Sequence, residues 1–142
     1  MSAITLPKIL KGGCLCGSIR YEITTTPGLQ GLCYCTDCRK SSGSAFVAFM
    51  SLPAQDFKLV AGKPRLFINK SISGGERAIN FCENCGAHLF GGVVGKDDEH
   101  TIYAGSLDSE FIEDFVPKIA IFTKCRPAWG KLESDLKEFE TM

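Results

Sequence analysis

The chain has 142 residues, 44% hydrophobic and 23% charged, a balance typical of a globular protein that buries a core. Sixteen Lys and Arg residues offset sixteen Asp and Glu residues, so the basic excess of a broad nucleic-acid-binding face is missing. No stretch approaches the ~18 apolar residues that cross a bilayer, and the first residues lack the apolar stretch of a secretory signal. We therefore expect one domain over residues 1–142, no nucleic-acid or membrane partner, and a cytoplasmic location.

Short alternating runs dominate the predicted secondary structure. Ile19, Tyr21 and Ile23 alternate with polar neighbours, which is typical of a strand with one buried face. Similar runs follow at residues 45–50, 57–61, 65–68, 77–81, 88–94, 101–104 and 118–123, and turn residues separate them. The pattern predicts an all-β fold with little helix.

Two segments carry a helical signal. Thr36 is placed to cap a short helix, with Asp37 favourably located in its first turn. In the tail, residues 131–139 have apolar positions at helical spacing. That tail is predicted to be either a helix or an ordered arm.

Seven of the eight cysteines fall into three close groups, and in a reducing compartment such groups hold metal more often than they form disulfides. Two residues separate Cys82 from Cys85 and Gly86 follows, which is the pattern of a zinc knuckle. The pair Cys14 and Cys16 also lies in a Gly-rich segment. Because a tetrahedral site of four cysteines needs two such pairs, the spacing predicts a structural zinc ion held by Cys14, Cys16, Cys82 and Cys85.

The middle group supplies three thiolates from six residues: Cys33, Cys35 and Cys38. Three close ligands hold zinc while a fourth position stays open to water or substrate, the usual arrangement of a catalytic zinc site. The neighbouring Arg39 and Lys40 are candidates for holding an anionic substrate. The competing interpretation of these two residues is a solvated helix face.

Three residues remain outside these groups and leave alternatives open. Cys125 would close the second site as a fourth ligand, or it is a packed or free thiol. His88, in an alternating strand, and His100, in a polar turn, either complete a site or are structural or solvent-facing. A thiol redox protein is a further alternative, although seven grouped cysteines suit two ions better than one dithiol.

The ordered motifs resemble those of the glutathione-dependent formaldehyde-activating (GFA) family, also called the centromere-protein-V/GFA family. They are Cys-Leu-Cys-Gly at 14–17, Ile-Arg-Tyr-Glu at 19–22, Cys-Tyr-Cys-Thr-Asp-Cys-Arg-Lys at 33–40 and Phe-Cys-Glu-Asn-Cys-Gly at 81–86. Ala-Gly-Ser-Leu-Asp at 104–108, with Trp129, Phe139 and Glu140, extends the resemblance to residues 12–140.

The resemblance implies an Mss4-like fold, in which zinc bridges antiparallel β-sheets. It also implies two zinc ions per chain, the structural one at the four cysteines and the catalytic one at Cys33, Cys35 and Cys38. Members of the family are described as joining glutathione to formaldehyde to give S-hydroxymethylglutathione, so small thiols and aldehydes are the expected substrates of a carbon–sulfur lyase. The alternative is a non-enzymatic, zinc-stabilised binding module of the same fold. The charged tail at 131–137 differs from the Pro-containing arm expected in the family, which leaves the substrate preference open.

Overall fold

The computed structural model of the chain describes residues 8–24 and 28–142. Within these ranges it has one α-helix, α1 (Thr36–Ser42), and eleven β-strands: β1 (Leu10–Gly13), β2 (Arg20–Ile23), β3 (Gln30–Cys33), β4 (Val47–Pro53), β5 (Phe57–Ala61), β6 (Arg65–Lys70), β7 (Glu76–Phe81), β8 (His88–Gly91), β9 (Glu99–Tyr103), β10 (Ile119–Ile121) and β11 (Lys137–Glu138). Short 3₁₀ turns connect several of them. None of the helices described here is long and apolar enough to span a bilayer. The predicted all-β class with little helix is confirmed.

The strands form two sheets. The smaller sheet has the order β1-β2-β5, and the larger one has the order β11-β10-β3-β4-β9-β8-β7-β6. Most neighbouring strands are antiparallel, as predicted, but β10 runs parallel to both β3 and β11. The long connection after β9 allows β10 to enter beside β3 in this direction, whereas a tight hairpin would not.

The main hydrophobic core lies between the two sheets. The predicted inward row of Ile19, Tyr21 and Ile23 is buried there, together with Phe57 and Phe90. The ring of Phe57 lies 5.6 Å from that of Tyr21 and 4.6 Å from that of Phe90, so it joins the two sheets. Each such side chain contributes roughly 1.5–3 kcal/mol through burial.

Some boundaries differ from those predicted. Strands β1 and β3 were not anticipated, because glycine and cysteine weaken the strand signal in both. The run predicted for residues 88–94 ends at Gly91, and positive φ at Gly92 turns the chain. The tail is an ordered arm, not a helix: β11 pairs with β10, and the N–H of Phe139 donates to the carbonyl of Ala120 at 2.9 Å.

Candidate metal centres

Helix α1 begins directly after Cys35, which is its N-cap. The backbone of Cys35 is extended, and its Sγ accepts a hydrogen bond from the N–H of Cys38 at 3.4 Å. The prediction that Thr36 is the cap is wrong by one residue: Thr36 is the first helical residue, and the sulfur does the capping in place of a hydroxyl. This cap turns the Cys35 and Cys38 side chains toward each other.

The three-cysteine group consists of Cys33, Cys35 and Cys38. Cys33 ends β3, Cys35 caps α1 and Cys38 lies in the first turn of the helix, and their sulfurs are all within 4.8 Å of one another. The residues are only 7%, 5% and 8% exposed. The group could therefore hold a metal ion away from bulk water.

Hydrogen bonding divides the negative charge unevenly within this group. Hydrogen bonds with Cys33 and then Cys38 hold the pKa of the Cys35 thiol well below its usual range. Hydrogen bonds with Cys35 and Cys38, followed by burial, raise the pKa of the Cys33 thiol. A divalent cation would supply the positive charge that lets all three sulfurs be thiolates at once.

The four-cysteine group consists of Cys14, Cys16, Cys82 and Cys85. The first pair follows β1 and the second follows β7, and all four sulfurs are within 4.8 Å of one another. The sulfurs of Cys16 and Cys82 are 3.7 Å apart although 66 residues separate them in sequence. The group thus connects the smaller sheet to the larger one.

The backbone conformation and hydrogen bonds of both turns favour the arrangement of the four sulfurs. Gly17 and Gly86 follow the two pairs with φ of +80° and +77°, which glycine adopts without strain. The N–H of Ile19 donates to Cys14 Sγ at 3.2 Å. Ser18 Oγ lies 3.1 Å from Cys16 Sγ, and this hydrogen bond, followed by one with the Asn84 side chain, lowers the pKa of the Cys16 thiol to about 5. These contacts favour the thiolates that a metal requires.

A cavity of about 480 Å³, here named the site cavity, lies beside the three-cysteine group. Its size falls within the roughly 300–1,000 Å³ typical of small-molecule sites. Cys33 and Cys38 border it at one end, and Gly91 and Gly92 keep part of its wall free of side chains.

Two further residues of the site cavity were not predicted from the sequence. Arg77 in β7 donates from Nη2 to Ser41 Oγ at 3.2 Å and to Cys38 Sγ at 3.8 Å. Tyr103 at the end of β9 lines the cavity, and burial raises its pKa to about 12. Alternation marks both as strand residues, but only the register across the large sheet brings them to the cysteines.

Helix α1 is attached to the β6–β7 hairpin at both of its ends. The carboxylate of Asp37 accepts a hydrogen bond from the N–H of Ile72 at 2.8 Å, in the turn of that hairpin. The contact between Ser41 and Arg77 holds the last turn of the helix. The position of Cys38 therefore depends on the hairpin.

The two predicted substrate-binding residues occupy different surroundings. Arg39 is half-buried and borders neither the site cavity nor the neighbouring one. Lys40 is exposed and borders that second cavity of about 490 Å³, here named the outer cavity, together with Phe67, His88 and Arg77. Of these two residues, Lys40 is the one that borders one of the two cavities.

The remaining candidates stay apart from the cysteine groups. Cys125 lies in a 3₁₀ turn and belongs to neither group among the residues described. His88 borders the outer cavity, and burial lowers its pKa. The expectation that His100 lies in a polar turn is wrong: it is buried in β9, with Nδ1 3.1 Å from the carbonyl oxygen of Gly91.

An all-β protein with two cysteine groups, each suited to a metal ion, is the class that the fold and these sites define. The family model described as "Glutathione-dependent formaldehyde-activating enzyme" matches residues 9–125. The chain belongs to this family, as its motifs predicted.

Two curated relatives carry the name "Putative glutathione-dependent formaldehyde-activating enzyme". The one from Phaeosphaeria nodorum is 32% identical over 89 residues, which cover 59% of this chain and 46% of that protein. The one from Halomonas elongata is 26% identical over 132 residues, covering 89% of this chain and 82% of that protein. The chain thus spans less than half the length of the first relative and about four fifths of the second.

A crystal structure of a Rhodobacter sphaeroides protein, a structural genomics target, resembles the chain with a TM-score of 0.54. The match covers 70% of this chain and 89% of that one at 20% sequence identity. This likeness shows the fold alone.

Proposed function

We propose that the chain is a zinc-dependent enzyme that adds a thiol, glutathione or a similar one, to formaldehyde or another small aldehyde. The observation that carries this proposal is the three-cysteine group at the border of the site cavity. The names of the two relatives suggest the substrate pair. The reaction belongs to the carbon–sulfur lyase class.

The donor sets of both groups fit zinc, which prefers thiolate ligands in a tetrahedral shell. Four sulfurs complete such a shell, so the four-cysteine group would hold a structural ion even though Cys14 borders a surface cavity. Three sulfurs would leave one position of that shell for a substrate, and Cys33 and Cys38 border the site cavity. We infer two zinc ions per chain. When bound at the three-cysteine group, zinc supplies positive charge that favours the thiolate form of a thiol substrate.

The reaction forms one bond between the substrate sulfur and the aldehyde carbon. The thiol loses its proton, and the aldehyde oxygen gains one to become a hydroxyl group. Tyr103 lines the site cavity, and its phenolic hydroxyl would donate a hydrogen bond to that oxygen. Val47 and Phe49 give the same cavity an apolar side that excludes water from the reacting atoms.

The proposal is tested by NMR exchange measurements with glutathione and ¹³C-labelled formaldehyde. Zinc-loaded protein should accelerate adduct formation, and Cys35→Ser should remove the acceleration. Cys125→Ser, which changes a cysteine outside both groups, is the matched control and should retain full activity and both zinc ions. No acceleration by the zinc-loaded wild type would refute the proposal for this pair of substrates.

A non-enzymatic binding module is the second candidate, and strand β6 is the observation that favours it. This strand forms one end of the large sheet and exposes Leu66, Phe67 and Ile68. An apolar edge of this kind is a template for pairing with another chain. Loss of the second zinc ion in Cys125→Ser would support this candidate, because it would indicate a closed site.

A further inference from the structure

Arg77 is a half-buried cation on the wall shared by the site cavity and the outer cavity. A guanidinium has five N–H donors. Nη2 donates hydrogen bonds to Ser41 and Cys38. Among the described residues, none accepts a hydrogen bond from Nε or Nη1. None of the four ion pairs found in residues 8–24 and 28–142 includes Arg77.

A half-buried guanidinium without a carboxylate partner is costly unless an anion compensates it. The three-cysteine group supplies part of that compensation through Cys38, but it occupies only one nitrogen of the guanidinium. Arg77 therefore keeps a planar set of donors available beside the sulfurs, and such a set matches the two oxygens of a carboxylate.

The charged groups around both cavities favour a single negative charge. Glu76 and Glu99 border the site cavity and would repel a dianion such as a phosphate. On the outer side, the carboxylate of Asp37 is already bonded to the N–H of Ile72, and Lys40 adds a positive charge at the surface. A monoanionic carboxylate is the ligand that this arrangement fits best.

We propose that Arg77 is a specificity-determining residue that binds a carboxylate of the thiol substrate while the substrate sulfur lies at the metal site of the three-cysteine group. This inference rests on the proposed function and deepens it, because it defines the substrate as a thiol with a carboxylate a few bonds from its sulfur. Formaldehyde carries no carboxylate, so it is excluded as the partner of Arg77. The contact between Arg77 and Cys38 places the two subsites side by side.

The test compares two small thiols that differ in this one group, 3-mercaptopropionate and 2-mercaptoethanol. Their affinities for the zinc-loaded protein are measured by isothermal titration calorimetry. The wild type should bind the carboxylate thiol about tenfold more tightly, as a charge-assisted hydrogen bond predicts. Arg77→Met should reduce the ratio of the two affinities to about one, and Arg77→Lys should keep part of the preference.

The matched control is Arg65→Met on the neighbouring strand β6. Arg65 is exposed and pairs with Glu83 at 3.3 Å, so its removal should leave the ratio intact. If Arg77→Met weakens the binding of both thiols equally at unchanged zinc content, the proposal is overturned. The role of Arg77 would then be to stabilise the thiolates of the three-cysteine group. A tenfold preference that survives in Arg77→Met would overturn it as well.

Failure of the proposed function has a different signature. If neither thiol binds to the wild type, thiol addition fails, and the carboxylate subsite is judged by titrating propionate, the monoanionic analogue of 3-mercaptopropionate without its sulfur. The NMR signal of the Arg77 side-chain N–H, assigned by its loss in Arg77→Met, should still shift on addition of propionate. If Arg77→Met does not fold, Arg77→Lys provides the assignment and the affinity ratio. If the Arg77 signal does not shift, the proposal of a carboxylate subsite at Arg77 is refuted.

Discussion

Replacing Cys82 by serine should destabilise the fold about twice as much as replacing Cys35. The four-cysteine group closes a loop of 66 residues between Cys16 and Cys82. Under a loop-closure treatment, a cross-link of this length contributes about 4 kcal/mol at 25 °C. The three-cysteine group closes a loop of only about five residues, for which the same relation gives about 2 kcal/mol.

The expected difference is large enough for calorimetry. A loss of 1 kcal/mol lowers the Tm of a chain of this size by about 4 °C. Cys82→Ser should therefore lower the Tm of the zinc-loaded protein by about 15 °C, and Cys35→Ser by no more than about 8 °C. Metal analysis of the same samples should show that Cys35→Ser retains the structural zinc ion while adduct formation is lost.

Equal losses of Tm in the two variants would refute this division between a structural and a catalytic group. So would a larger loss in Cys35→Ser. Cys125→Ser controls for the chemistry of the substitution, because Cys125 lies outside both groups, and its Tm should change by less than about 2 °C.

Two further predictions concern Tyr103 and the pair of Arg20 with Asp108. Tyr103→Phe should lower kcat/KM about 100-fold at unchanged zinc content, since a hydrogen-bond donor to the aldehyde oxygen is lost; an unchanged rate would remove Tyr103 from the reaction. Arg20 lowers the pKa of Asp108, so their contribution to stability is present at neutral pH and is lost as the pH falls. In urea titrations between about pH 5 and pH 2, the wild type should lose about 1 kcal/mol more than Asp108→Asn, and parallel curves would contradict this.

The cysteine groups could be predicted from the sequence because each is built largely by local turns. Cys82 and Cys85 meet within one turn, and the same holds for Cys14 and Cys16. That the two pairs bind one zinc ion together was predicted from the coordination number of zinc, since two sulfurs do not complete a tetrahedral shell. Neither step required knowledge of the sheet order.

The residues that line the site cavity could not be predicted from the sequence in the same way. Arg77 and Tyr103 meet the cysteines only through the register of five strands, and a slip of one residue would turn each side chain to the opposite face. The N-cap was missed for another reason. Threonine is a common N-cap and cysteine is not, but the position of Cys35 beside Cys38 favoured the sulfur.

The attachment of α1 to the β6–β7 hairpin has a consequence for motion in this region. Among the described strands, β6 pairs only with β7, so this hairpin lies at one edge of the large sheet. Its opening would break the contacts of both Asp37 and Ser41 and release the segment that carries Cys38. Ligand exchange at the three-cysteine group is thereby linked to fraying of the sheet edge, and amide protons of α1 should exchange with solvent together with those of β6.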